Sequence, residues 1–262
     1  MGKMNFLISL IVCFYSLHIY SQQYEAVYEI VYKPRLNDSL KLKDNYVLRF
    51  DTQKKSSFFT SLNEENSLNF SIYKNFEKES FIKYESIVDD LYSINYIFDN
   101  SKWQLLEDNK RIEDFNCKKA KIIFGNRIWE AWYTIDIPFQ DGPYKFSGLP
   151  GLIIEIYSID EDYRFLMKGI TKKDQLVITK LPATNLSTSK QERDVKSRII
   201  LDPAISYRNK RLKLENRNIG VKVSYNGKEI PQKETEKRIV KNFEKWREEH
   251  DNPIEKGDLW IK

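Results

Sequence analysis

The sequence predicts a mainly β protein, built on a curved antiparallel sheet of about 8 to 11 strands with two or three helices. Three observations carry this. Aromatic residues make up 14% of the 262 residues, with 16 Tyr and 15 Phe against 9 Gly and 8 Pro, a composition suited to pleated surfaces. Short runs alternate with period two between clusters of turn-forming residues. One stretch, 152–157 (LIIEIY), is apolar enough for a strand buried on both faces. Hydrophobic residues at 41% beside charged residues at 31% supply a core and exclude disorder throughout.

Along the chain, residues 24–33 place Tyr24, Ala26, Tyr28, Ile30 and Tyr32 on one side of a half-buried strand. Tyr46, Leu48 and Phe50 repeat the pattern, and 56–60 supplies a third strand. Residues 63–79 are polar, with Leu68, Ile72 and Phe76 four apart, a spacing that suits a surface helix or a long loop. Short strands follow at 81–87, 91–98 and 103–106, and Gly125-Asn126 joins 120–124 to 128–134 as a hairpin. Beyond 152–157, residues 163–169 and 176–179 continue the sheet. The last third changes texture. Residues 188–198 read as a helix and 221–230 as a hairpin around Asn226-Gly227. Residues 233–250 form a helix with Ile239, Phe243 and Trp246 on one face.

A sheet of this size must close or be covered. The expected form is an open or incomplete barrel with a helix covering the mouth, similar to periplasmic lipoprotein carriers; a closed lipocalin-like barrel is the alternative.

Residues 1–21 read as a signal peptide, with Lys3 before the apolar run 6–17, polar residues from His18 onward, and cleavage after Ser21. The run is short for a membrane span. What remains, 22–262, is expected to be one β-rich domain of net charge about +4. Removing the leader takes away Cys13 and His18. Cys117 is then the single cysteine of an exported chain, expected to be buried, and no intramolecular disulfide can form. His250 is the single histidine, in a charged stretch, so a hydrolase triad has only this poor candidate. No metal site and no cofactor are expected.

Residues 142–151 hold Gly142, Gly148, Gly151, Pro143 and Pro150, a density that marks specified backbone. Pro150 suits position i+1 of a type II turn and Gly151 the positive φ at i+2, so the chain should reverse there into 152–157. Gly148 is expected to permit a close approach to a neighbour. The run Gly148-Leu149-Pro150-Gly151-Leu152-Ile153 resembles the namesake motif of the GLPGLI family, exported proteins of Bacteroidetes. Further matches are Cys117-Lys118-Lys119-Ala120, Trp129, Trp132-Tyr133, Ile137-Pro138, Gly142-Pro143 and the opening strand 24–29. The resemblance implies export and a β-rich fold, and it brings no catalytic residues.

The candidate ligand-binding residues are Trp129, Trp132, Tyr133, Phe146 and Leu149, on a concave aromatic β surface; Gly142, Pro143, Gly148, Pro150 and Gly151 form its structural corner. Glu155 should have a partner such as Arg127 or Lys145. The function expected is a non-enzymatic binding or envelope-associated protein. It would hold a hydrophobic or extended ligand, lipid, lipopolysaccharide or an outer-membrane protein, and no nucleic acid. The alternatives are a hydrolase using a carboxylate pair drawn from Glu130, Asp136, Asp141 and Glu155, and an assembly factor of the envelope. The basic run from Arg208 to Lys213 reads as a solvated face or as a contact with anionic lipid.

Overall fold

The computed structural model describes residues 22–63, 68–88, 90–97 and 102–258. The expected signal peptide lies outside them. Twelve strands form one sheet, one more than the upper expectation: β1 (Gln23–Tyr32), β2 (Leu42–Asp51), β3 (Ser56–Ser61), β4 (Phe70–Asn75), β5 (Ser80–Ile87), β6 (Asp90–Ile97), β7 (Gln104–Ile112), β8 (Phe115–Phe124), β9 (Arg127–Thr134), β10 (Leu152–Ser158), β11 (Tyr163–Lys173) and β12 (Thr184–Leu186). Their order is β12-β6-β5-β4-β3-β2-β1-β11-β10-β9-β8-β7. All neighbours are antiparallel except β12 on β6. The sheet is strongly curved and does not close, so the open-barrel expectation holds and the closed barrel does not. Helices α1 (Ser189–Leu201), α2 (Ile205–Glu215) and α3 (Gln232–Glu249) follow, with the small hairpin β13 (Val223–Tyr225) and β14 (Lys228–Ile230) between the last two.

Local chemistry explains most of these elements. In β1, Ala26, Tyr28, Ile30 and Tyr32 are buried as the alternation requires. Asn126 and Asn226 turn their hairpins with positive φ, each beside a glycine that also has positive φ, the pairing that a type I′ turn demands. Thr188 caps α1, its side chain accepting the Gln191 amide at 3.2 Å. Ile199 of α1 and Phe243 of α3 meet Ile87 at the end of β5, while Glu192 of α1 accepts from the Tyr96 hydroxyl of β6.

Among the described residues of 63–79, Phe70–Asn75 form a strand, β4, where a surface helix or a long loop was expected. Its inward residues are Phe70, Ile72 and Lys74, and the lysine hides the alternation from a hydropathy reading. Residues 176–179 form no strand. α2 lies where the basic run suggested only a charged face, and β7 extends well past 106.

The interior of the curl is filled by the chain itself. Residues 135–151, between β9 and β10, fold back across the concave face. Phe139 stacks on Phe50 at 4.7 Å, Tyr144 meets Phe70 edge-on at 5.0 Å, and Phe146 lies 4.8 Å from Trp129. The C-terminal segment crosses one end. Arg127 donates to the Ile254 carbonyl at 3.0 Å and the Pro253 carbonyl at 2.9 Å, and it also binds Asn252, Asp160 and Asp162. Ile254 joins the core.

Candidate functional site

Trp129, Tyr133, Phe146 and Leu149 are all buried, none more than 3% exposed. They pack the interior, and the Trp129 indole N–H donates to the Phe124 carbonyl at 3.0 Å. The expectation that they line an open concave surface is therefore corrected: the inward fold of 135–151 puts side chains where the hollow would be. Trp132, three residues on from Trp129, faces the opposite side of the sheet.

The Gly/Pro corner is built differently from the expected turn. Gly151 does not have positive φ; Gly148 does, at 90°. The Gly151 amide bonds the Leu149 carbonyl at 2.7 Å, a three-residue turn centred on Pro150. A Cβ on Gly151 would stand 1.9 Å from the Thr134 carbonyl oxygen, whereas one on Gly148 would meet nothing within 4 Å. The two glycines have exchanged the roles read from the sequence: Gly148 supplies the backbone angle and Gly151 the close approach. Gly142 packs against Ile153, and Pro143 is buried beside it.

The segment is pinned by Lys74. Its ammonium, completely buried, donates to Asp141 Oδ1 at 2.5 Å, the Gly142 carbonyl at 2.8 Å and the Phe146 carbonyl at 3.0 Å, which uses all three of its protons. The Tyr28 hydroxyl donates to the Ile153 carbonyl at 2.6 Å. Asp141 is thereby committed to structure, and Asp136 is exposed.

Chemistry gathers on the outer face of β7 to β11. Lys110 sits 4.3 Å from the centre of the Trp132 ring and Lys119 5.6 Å from it. Lys110 reaches Glu155 at 2.7 Å, Arg164 reaches the other Glu155 oxygen at 2.8 Å, Lys119 reaches Glu130 at 2.9 Å, and the Tyr157 hydroxyl donates to Glu130 at 2.7 Å. Glu155 thus has partners, as expected, but not Arg127 or Lys145. Arg127 holds the C-terminal segment, and Lys145 pairs with Glu255 at 2.6 Å. Burial works to raise the Glu155 carboxyl, yet Lys110 and Arg164 hold it below its ordinary value. The Tyr157 hydrogen bond and Lys119 lower Glu130. Tyr157 itself is pushed up to about 12, by burial first and then by Glu130. Next to this belt lies a hollow of about 420 Å³ lined by Lys41, Glu130, Glu155, Tyr157, Glu161 and Arg164, among others.

Lys110, Tyr157 and Arg164 were not singled out from the sequence. Only pairing places Arg164 opposite Tyr157 and Glu155 opposite Trp132. His250 stacks on Trp246 at 4.6 Å, with its Nδ1 at 3.0 Å from the Trp246 carbonyl.

A family model described as a protein of unknown function (Porph_ging) matches residues 125–155, which span the β8–β9 turn, β9, the inward segment and the first half of β10. Comparison with curated proteins finds no match. Among solved structures, PNGF-II in its C2 crystal form aligns with TM-score 0.51 at 13% identity, covering 66% of this chain and 32% of that one. Its P21 form aligns with the same TM-score and identity. An uncharacterized conserved protein from Thermus thermophilus aligns with TM-score 0.40 at 8% identity, covering 64% of this chain and 91% of that one. The chain spans about a third of the length of PNGF-II. At this identity the likeness concerns the fold, and the family match concerns the strand-and-corner segment at the centre of the architecture.

Proposed function

We propose that the chain is an exported, non-enzymatic binding protein of GLPGLI type that holds an extended, uncharged polyhydroxyl ligand, such as an oligosaccharide, on the outer face around Trp132. The observation that carries this reading is the balance of the belt beside the hollow. Lys41, Lys110, Lys119 and Arg164 stand among Glu130, Glu155 and Glu161, so the site has many directional hydrogen-bonding groups and little net field. A strongly charged ligand would meet repulsion from half of these groups. Hydroxyls can accept from the guanidinium and ammonium groups and donate to the carboxylates. Trp132, itself only 8% exposed, lies beneath Lys110 and Lys119 and fixes where their ammonium groups stand. Export rests on the leader-like residues 1–21.

The hydrolase reading is less well supported. A glycoside hydrolase needs one protonated carboxyl beside one ionised carboxylate, and Glu130 and Glu155 are both held on the ionised side by their partners.

Calorimetric titration with a panel of neutral oligosaccharides tests the proposal. We expect saturable binding to at least one of them, weakened tenfold or more by Arg164→Ala, whose side chain is 49% exposed, with no more than a small change in melting temperature. Absence of binding across the panel, or binding that Arg164→Ala and Tyr157→Phe leave intact, would overturn it.

A further inference from the structure

We propose that α2 and the hairpin after it form a surface that seats the protein on an anionic phospholipid bilayer, separately from the ligand face. Residues 205–231 carry seven cations (Arg208, Lys210, Arg211, Lys213, Arg217, Lys222 and Lys228) and two carboxylates (Glu215 and Glu229). That excess of five is more than the net charge of residues 22–262, about +4, so the rest of those residues sums to about −1, although 164–180 holds a second surplus, five cations against Asp174.

The placement of the segment makes the charge available. Lys210, Lys213, Arg217, Lys222 and Lys228 are exposed. Lys210 pairs with Asp90 and Lys222 with Glu229, but among the described residues Lys213, Arg217 and Lys228 form no ion pair. The same stretch exposes apolar side chains: Leu212 at 57%, Ile219 at 49% and Tyr225 at 50%. Asn209, Leu212 and Lys213 share the exposed side of α2 at helical spacing, continued by its C-cap Asn216.

Cations interleaved with exposed aliphatic residues match the two layers of a bilayer interface. Phosphate headgroups attract the lysines and arginines, whose stems extend along apolar surface, and Leu212 and Ile219 gain from entering the acyl boundary. A single-stranded nucleic acid would favour aromatic stacking platforms; here the segment has two rings, Tyr207, which is half-buried, and Tyr225, which is covered by Arg238 at 4.1 Å.

Co-sedimentation of the purified full chain with vesicles of phosphatidylcholine, alone or mixed with phosphatidylglycerol, tests the assignment. Binding is expected to the mixed vesicles only. At about fivefold per cation removed, the triple variant Lys213→Glu/Arg217→Glu/Lys228→Glu should lose roughly a hundredfold or more in partitioning. The control Lys78→Glu/Lys168→Glu/Lys172→Glu makes the same change in net charge at exposed sheet and turn positions and should retain binding within about threefold. Leu212→Ser/Ile219→Ser should make the residual binding more sensitive to salt. Equal loss in both triple variants, no binding to mixed vesicles, or affinity for a soluble acidic protein in place of vesicles would overturn the assignment, whatever the outcome of the oligosaccharide titration.

Discussion

Replacing Lys74 with Met removes the cation that joins β4 to the inward segment. Three acceptors then lose their donor inside the core: the Asp141 carboxylate and the carbonyls of Gly142 and Phe146. The methylene stem is kept, so the loss is chiefly electrostatic and hydrogen-bonding. Breaking a buried pair by removing one partner costs about 3–5 kcal/mol, because an uncompensated charge stays buried. For a chain of this size each kcal/mol lowers Tm by about 2–4 °C, so a drop of roughly 6–20 °C is expected. Urea denaturation followed by tryptophan fluorescence reads the effect directly, since Trp129 lies against Phe146 of the same segment. In Lys74→Met/Asp141→Asn no charge remains, and the Asn oxygen can still accept the Gly142 amide, which now bonds Asp141 at 2.7 Å. The double variant should recover stability, with a coupling of about 1–3 kcal/mol between the two sites. A loss below about 1 kcal/mol for Lys74→Met, or single-variant losses that simply add, would refute the view that this buried pair holds the segment in place.

Three further outcomes follow from the same structure. Gly151→Ala must displace the Thr134 carbonyl and should cost about 3 kcal/mol or more, whereas Gly148→Ala meets only the strain of a positive φ, about 1–2 kcal/mol; the reverse order in chemical denaturation would contradict the exchanged roles of the two glycines. Cys117 is 1% exposed and burial pushes its thiol up to about 11, so it should resist Ellman's reagent at pH 8 in the native protein and react at once in urea. Burial opposes ionisation of Asp160, but Ser158, Lys256 and Arg127 bring it down to about 2 from an ordinary 3.8. A depressed carboxyl contributes stability above its unfolded value and loses it as pH falls through the folded one. Asp160→Asn should therefore cost about 1 kcal/mol at pH 7, discounted for partial exposure, and nothing below pH 2, as measured by denaturation across that window.

What could be read without the fold was local. The period-two alternation of β1, the Asn-Gly turn of β13–β14, the helix over 188–198 and the apolar stripe of α3 each depend on neighbours within a few residues, where propensity and turn chemistry act. Tertiary packing decided the rest. Lys74 breaks the alternation of β4 because its charge is satisfied by a segment 67 residues away, which no hydropathy pattern records. Gly151 needs to be glycine because of a carbonyl on another strand, so its role emerged only once β9 and β10 were paired. The strand order from β7 to β11 likewise set Glu155 within reach of Lys110 and Arg164, and the inward fold of 135–151 turned an expected hollow into a packed interior. Periodicity states which residues share a face; only the long-range pairing of strands and the paths of the loops between them determine what that face meets.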